Sequence, residues 1–313
     1  VHNIKNSYSK VVFGLAMVAS AGAVATELGS SNFLSGTDQF GMLADPAPGV
    51  YYQVQAARFD ADEYRDNKGN KLAMPMTKKV QALAPRLTWV TKAKILGGQL
   101  VFDGMLPVVR VEGTASAFVP PFGIVSQSDS NTGVGDLQFG TALVFAPSDE
   151  FFYALALQFT APTGEYDDAR LANPGRNYWS ARPKFVTTYA NPEGLNADLS
   201  IMYGFNGRNK ESNQLRGQTY KTGRELNVEY ALGWAVARDW VAGVSGYVYQ
   251  QTTDDEVNGV RLDGVRGRAR AFGPAIKYDN GYGLIVNVAY QRDYGVRNRL
   301  SGDTFSVRVV LPF

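Results

Sequence analysis

The 313-residue chain carries 31 Lys and Arg against 29 Asp and Glu, has no Cys, and has one His, His2. That excludes disulfides and thiolate chemistry, lacks the basic excess of a nucleic-acid binder, and at a mean hydropathy of −0.19 is too polar for a bundle of membrane helices. It does not exclude a membrane barrel, whose strands alternate apolar and polar residues, and 17 Tyr, 17 Phe and 33 Gly suit strands, aromatic girdles and tight turns.

Lys5 and Lys10 flank a basic start, Val11 to Val24 is apolar, and Ala23-Val24-Ala25 has the small-x-small form that a signal peptidase accepts. The pattern predicts a signal peptide over 1–25, cleaved after Ala25, because the apolar run is shorter than the roughly 20 residues of a spanning helix. Cleavage would remove two Lys and no acid, leaving 29 charges of each sign, and would remove the single His. No His metal site or Ser-His pair could then exist. Residues 26–48 are rich in Gly, Ser and Pro, with Phe33, Phe40, Met42 and Leu43 interspersed. They predict either a flexible periplasmic tail or a segment that tucks into the barrel and narrows it.

From residue 49 to 313 the chain reads as strands. About twelve are expected, over 49–63, 77–93, 97–112, 133–146, 151–163, 178–190, 195–206, 222–236, 240–252, 262–278, 282–293 and 302–313. Period two carries them. Leu195, Ala197, Leu199, Ile201, Tyr203 and Phe205 oppose Asn196, Asp198, Ser200, Met202, Gly204 and Asn206. Leu226, Val228, Tyr230, Leu232, Trp234 and Val236 oppose Glu225, Asn227, Glu229, Ala231, Gly233 and Ala235. A soluble sandwich alternates too. Aromatics near the strand ends (Tyr203, Trp234, Tyr290), long strands, and short connections alternating with long ones favour a membrane barrel. The long connections are expected at 64–76, 113–132, 164–177, 207–221, 253–262 and 294–302. The fold class is thus all-β, a transmembrane antiparallel up-and-down β-barrel with an N-terminal signal peptide, placed in the bacterial outer membrane.

Lumen-facing charges are the candidate functional residues. Arg266, Arg268 and Arg270 share one face of 262–278 and are expected to point inward, since lipid would penalise Arg by roughly 2–4 kcal/mol at mid-depth. Arg182 with Lys184, and Arg308 beside Ser306, join them. Asp198, Glu225 and Glu229, with Asn227 between the glutamates, supply the opposite sign and polar lining. Such a row either sets pore width and selectivity or forms a salt-bridged network that fills a narrow barrel. Asp167-Asp168 and Asp254-Asp255 with Asp263 lack EF-hand spacing, so they read as solvated loop acids or as partners of lipopolysaccharide-bridging ions, and no resident metal or cofactor is expected.

The last strand alternates Phe305, Val307, Val309, Leu311 and Phe313 to an aromatic terminus. It resembles the terminal strand read by the barrel assembly machinery. Further motifs run in order: Pro48-Gly49-Val50-Tyr51-Tyr52, Gly133-Val134-Gly135-Asp136-Leu137, Ala161-Pro162-Thr163-Gly164-Glu165-Tyr166-Asp167 and Asn173-Pro174-Gly175-Arg176-Asn177-Tyr178-Trp179-Ser180. Tyr203-Gly204-Phe205-Asn206, Tyr220-Lys221-Thr222-Gly223, Gln250-Gln251-Thr252-Thr253-Asp254-Asp255, Gly273-Pro274 and Arg297-Asn298-Arg299 follow. This series resembles the outer-membrane channel family associated with the meta-cleavage pathway of phenol degradation. The resemblance implies a monomeric barrel of about twelve strands that passes hydrophobic or aromatic small molecules, and it implies no catalytic motif.

The expected function is therefore a channel for small, hydrophobic or aromatic molecules, with outer-membrane lipid and lipopolysaccharide as its surroundings. The alternative is a structural or plugged barrel without transport. An outer-membrane hydrolase of the Ser-His type is disfavoured because 26–313 contains no His base.

Overall fold

A computed structural model describes residues 31, 33–43, 47–212 and 218–312. The predicted leader 1–25, with Ala23 and Ala25, and the terminal Phe313 lie outside the described residues. The strands are β1 (Gly49–Arg65), β2 (Thr77–Ile95), β3 (Gly98–Met105), β4 (Val108–Val119), β5 (Gly123–Val134), β6 (Leu137–Phe145), β7 (Phe151–Ala161), β8 (Ser180–Ala190), β9 (Leu195–Asn206), β10 (Tyr220–Lys221), β11 (Glu225–Ala237), β12 (Trp240–Gln251), β13 (Glu256–Val257), β14 (Val260–Arg261), β15 (Arg268–Asp279), β16 (Ile285–Arg297) and β17 (Arg299–Pro312).

Every pairing is antiparallel, and β1 pairs with both β2 and β17, so the sheet closes on itself. Closure leaves no edge in the lipid-spanning part of the wall, where an unpaired edge would cost several kcal/mol per backbone group. β3 and β4 are two segments of one wall strand, interrupted at Leu106-Pro107, where Pro lacks a ladder donor. β5 and β6 form another, interrupted beside it at Gly135-Asp136, where the Gly135 amide donates to the Pro107 carbonyl at 2.8 Å. Merging each pair gives twelve wall strands, the expected number. β10, β13 and β14 form a separate small sheet in the outer loops.

The wall carries two aromatic belts. Trp89, Phe102, Phe151, Trp234 and Trp240 lie toward the end with short turns, and Phe139, Trp179, Phe205, Phe272, Tyr290 and Phe305 toward the end with long loops; all are at least 37% exposed. Between them Leu87, Leu155, Ile201, Leu232 and Val244 also face out. An outward apolar band between aromatic girdles is the surface of an outer-membrane barrel. Tight reversals close the short-turn end: Leu96-Gly97 has φ of 51° and 85°, the left-handed pair that a two-residue hairpin requires.

Three expectations needed correction. The predicted loop 113–132 is mostly the β4–β5 ribbon, which continues the wall beyond the outer aromatic belt. Above the lipid neither face needs an apolar run, so its Ser, Thr and Gly composition resembled a loop. Residues 262–267 belong to an outer loop rather than to a strand, which turns at Gly264, φ +81°. The predicted loop 294–302 is a hairpin turning at Asn298 alone, φ +49°, a conformation Asn tolerates.

The free edge of β5 is covered by the loop after β7. The Glu165 amide donates to the Val134 carbonyl at 2.8 Å, and Arg170 grips Asp129 through Nη2 and Nε at 2.8 and 3.2 Å. Covering an edge in this way blocks pairing with a second chain.

Candidate functional site

Residues 33–43 lie inside the barrel, and the inward faces of β8, β9, β11 and β17 hold them. Glu229 accepts the amides of Gly36 and Asp38 at 3.0 and 2.6 Å. Asp198 accepts those of Gly41 and Met42 at 3.0 and 2.9 Å and the Thr188 hydroxyl at 2.5 Å. Lys184 pairs with Asp38 at 2.5 Å. Arg308 donates to the carbonyls of Phe40 and Gly41 at 2.6 and 3.3 Å. Asn227 accepts Ser35 Oγ at 3.1 Å and donates to Glu229 at 2.9 Å. A strand-less segment satisfies its backbone through side chains because a buried amide without a partner costs about 1–3 kcal/mol.

Phe40 anchors the segment. It is fully buried against Ala231, Val241, Ala275 and Ala289. Gly233 leaves room for its ring, since a Cβ there would stand 2.6 Å from Phe40 Cζ. Nearer the short-turn end, Met42 and Leu43 pack on Val90, Val101, Val144, Ala154 and Val186. Toward the outer end Arg182 lies 6.0 Å from the Phe33 ring and donates to Thr160 Oγ1 at 2.8 Å. There Glu225 accepts Tyr249 Oη at 2.7 Å, Asn206 Nδ2 at 2.9 Å and Ser31 Oγ at 3.3 Å.

The opposite wall carries an apolar strip. Ala57 and Phe59 of β1, Val80, Ala82 and Ala84 of β2, Met105 of β3 and Val109 of β4 face the segment across a cavity of about 190 Å³. Phe33 and Leu34 meet the strip from the segment's side, and polar side chains, among them Gln55, Lys78, Arg86, Gln138, Gln158 and Arg299, complete the lining. A cavity of roughly 150 Å³ is large enough for benzene, so a single ring fits by size. The lumen is thus split lengthwise into a charged half that grips residues 33–43 and a half of mixed lining with an apolar strip.

Of the predicted lumen residues, Arg182, Lys184, Asp198, Glu225, Asn227, Glu229 and Arg308 therefore converge on one internal segment. Arg268 and Arg270 do not. On β15 the inward residues are Ala269 and Ala271, both fully buried, whereas Arg270 shares its face with Phe272 and Ile276, which are 56% and 37% exposed. Arg266 lies in the outer loop, paired with Asp254 at 2.8 Å. The inward expectation assumed mid-depth. These arginines sit above the outer belt, where the penalty for charge falls to about 0–1 kcal/mol.

Asp255, expected to be solvated, is buried and accepts Tyr220 Oη at 2.5 Å and the Gly223 amide at 2.7 Å. Among the described residues no group of three or more acids is placed to hold a metal ion. The apolar strip has a short signal in β2, where Val80, Ala82 and Ala84 lie on the face opposite Leu83, between Lys78 and Arg86.

A family model described as "Putative MetA-pathway of phenol degradation" matches residues 61–309. Among curated proteins none matches the chain in sequence. The crystal structure of the COG4313 outer membrane channel from Pseudomonas putida F1 superposes with a TM-score of 0.73 at 17% identity, covering 90% of this chain and 99% of that one. The transport unit of the autotransporter AIDA-I from Escherichia coli gives 0.49 at 12% identity, covering 91% and 95%. The barrel fold is shared with that outer-membrane channel.

Proposed function

The chain belongs to the phenol-degradation family whose model it matches, and from that premise we propose that its barrel admits small hydrophobic molecules, single aromatic rings among them, across the outer membrane. The observation that carries this reading is the apolar strip of a cavity of about 190 Å³, with Phe33 and Leu34 on one side and Ala57, Phe59, Ala82 and Ala84 on the other. A ring of benzene size fits the cavity and sheds unfavourable contact with water along that strip, while the polar side chains beside it can meet a hydroxyl group. Residues 33–43, within the predicted 26–48 segment, act in this reading as a lumen plug, held by Asp198, Glu229 and Arg308. The final strand serves as the assembly signal, and one copy is the working unit.

Cells producing the protein should take up labelled toluene or phenol faster than cells without it, while proteoliposomes should show little swelling in sugars. Rapid sugar swelling with no aromatic uptake would contradict the proposal. Absence of both would support a plugged structural barrel, which the dense hydrogen bonding of residues 33–43 favours as the second reading.

A further inference from the structure

We propose that the outer surface of β15 and β16 binds the phosphorylated sugar headgroup of the outer-leaflet glycolipid through Arg268, Arg270 and Arg297. Arg270 stands one outward position above Phe272, whose ring meets Tyr294 edge-on at 5.6 Å. It is in register with Tyr294, and Arg268 is in register with Arg297. The ladder is irregular between these pairs, with three residues of β16 spanning two of β15, and Gly295 there has φ +59°. A bulge of this kind re-aims the next side chain, and here it sets two guanidiniums directly opposite each other. Like charges so placed destabilise a sheet.

Among the described residues no carboxylate lies within 4.0 Å of Arg268, Arg270 or Arg297, while Arg266 is matched by Asp254 and Arg292 by Asp303 at 3.8 Å. Arg268 and Arg297, with Asn67, Gln250, Asn298 and the Arg266–Asp254 pair, border an open hollow of about 520 Å³. Paired guanidinium forks suit phosphate, which each can hold through two parallel N–H bonds. The vertical order selects the source: Arg268, Arg297 and the amides sit above, Arg270 and Tyr294 share the next level, and the Phe272 ring lies below on the outward face of the wall. A lipid with phosphate on its headgroup matches that order; free phosphate uses only the upper half.

The test is binding of bisphosphorylated hexa-acyl lipid A to the purified barrel in detergent, read by native mass spectrometry. We expect at least tenfold weaker retention of the same lipid after enzymatic removal of its phosphates. A comparable loss is expected in R268Q/R270Q/R297Q, whose folding is checked by heat-dependent electrophoretic mobility. Inorganic phosphate at millimolar concentration should not displace the lipid. Equal retention of the dephosphorylated lipid, or displacement by inorganic phosphate, would overturn the proposal. So would equal binding by the folded variant. If the variant fails to fold, the two lipid forms on the unaltered protein still decide.

Discussion

Phe40 is the residue on which docking of the internal segment turns. Its ring fills a niche of Ala231, Ala275, Ala289 and Gly233. Phe40→Ala should cost about 3 kcal/mol by analogy with core truncations, and since each 1.4 kcal/mol is tenfold the undocked population should rise by about a hundredfold. Single-channel recordings would show this as longer and larger open events; an unchanged trace would mean the ring is not holding the segment. Asp198 and Glu229 act beside it by accepting four backbone amides. D198N/E229Q puts amide donors against those N–H groups, and hydrogen bonds to charged acceptors are worth about 1.5–3 kcal/mol. The double variant should therefore also open the lumen, with the barrel still folded.

Outside the wall, the Arg266 guanidinium hydrogen-bonded to Asp254 holds that carboxyl below the usual carboxylate range. A lowered acid contributes stability that is present above its unfolded value, about pH 4, and is lost as the pH falls through the folded value. Hydrogen exchange over residues 252–267, corrected for intrinsic rates, should keep its protection down to about pH 4 and lose it only below. Loss of protection already near neutral pH would show that the pair does not order this loop.

At the scale of elements, the β4–β5 ribbon stands above the outer belt and belongs to the wall only through its base. Excising residues 110–132 and joining Val109 to Gly133, which face each other in the ladder, through Asn-Gly should leave a folded barrel. Electrophoresis with and without boiling measures this; loss of the heat-modifiable band would make the ribbon part of the folding unit. The same boundary marks where the sequence stops being legible. Within the lipid, alternation is enforced because one face meets hydrocarbon, so β9 and β11 could be read residue by residue. Above it the rule lapses, and β5 reads as a Ser-rich loop. Alternation also separates two faces without saying which is inward. For Arg268 and Arg270 the choice rested on depth, and a strand's depth depends on its register with its neighbours. The internal segment has no period at all. Its partners, Asp198, Glu229 and Arg308, were visible as inward charges, but what they grip emerges only when the wall closes around residues 33–43.

At the scale of the whole molecule, one cylinder presents three environments. Its outside is apolar between aromatic belts, and its lumen is charged on the side of β8, β9, β11 and β17 and mixed, with an apolar strip, on the side of β1 to β4. The charged side holds the chain's own segment, so the side with the apolar strip is what remains for a solute. This division depends on the position of the segment. The absence of Cys from the chain allows a direct test, since Ser35 Oγ and Asn227 Oδ1 lie 3.1 Å apart. In S35C/N227C the two thiols should form a disulfide inside the folded barrel, suppress conductance and aromatic uptake when oxidised, and restore both on reduction. Free thiols after oxidation of the folded protein, or transport indifferent to the bond, would contradict a lumen divided by its own N-terminal segment.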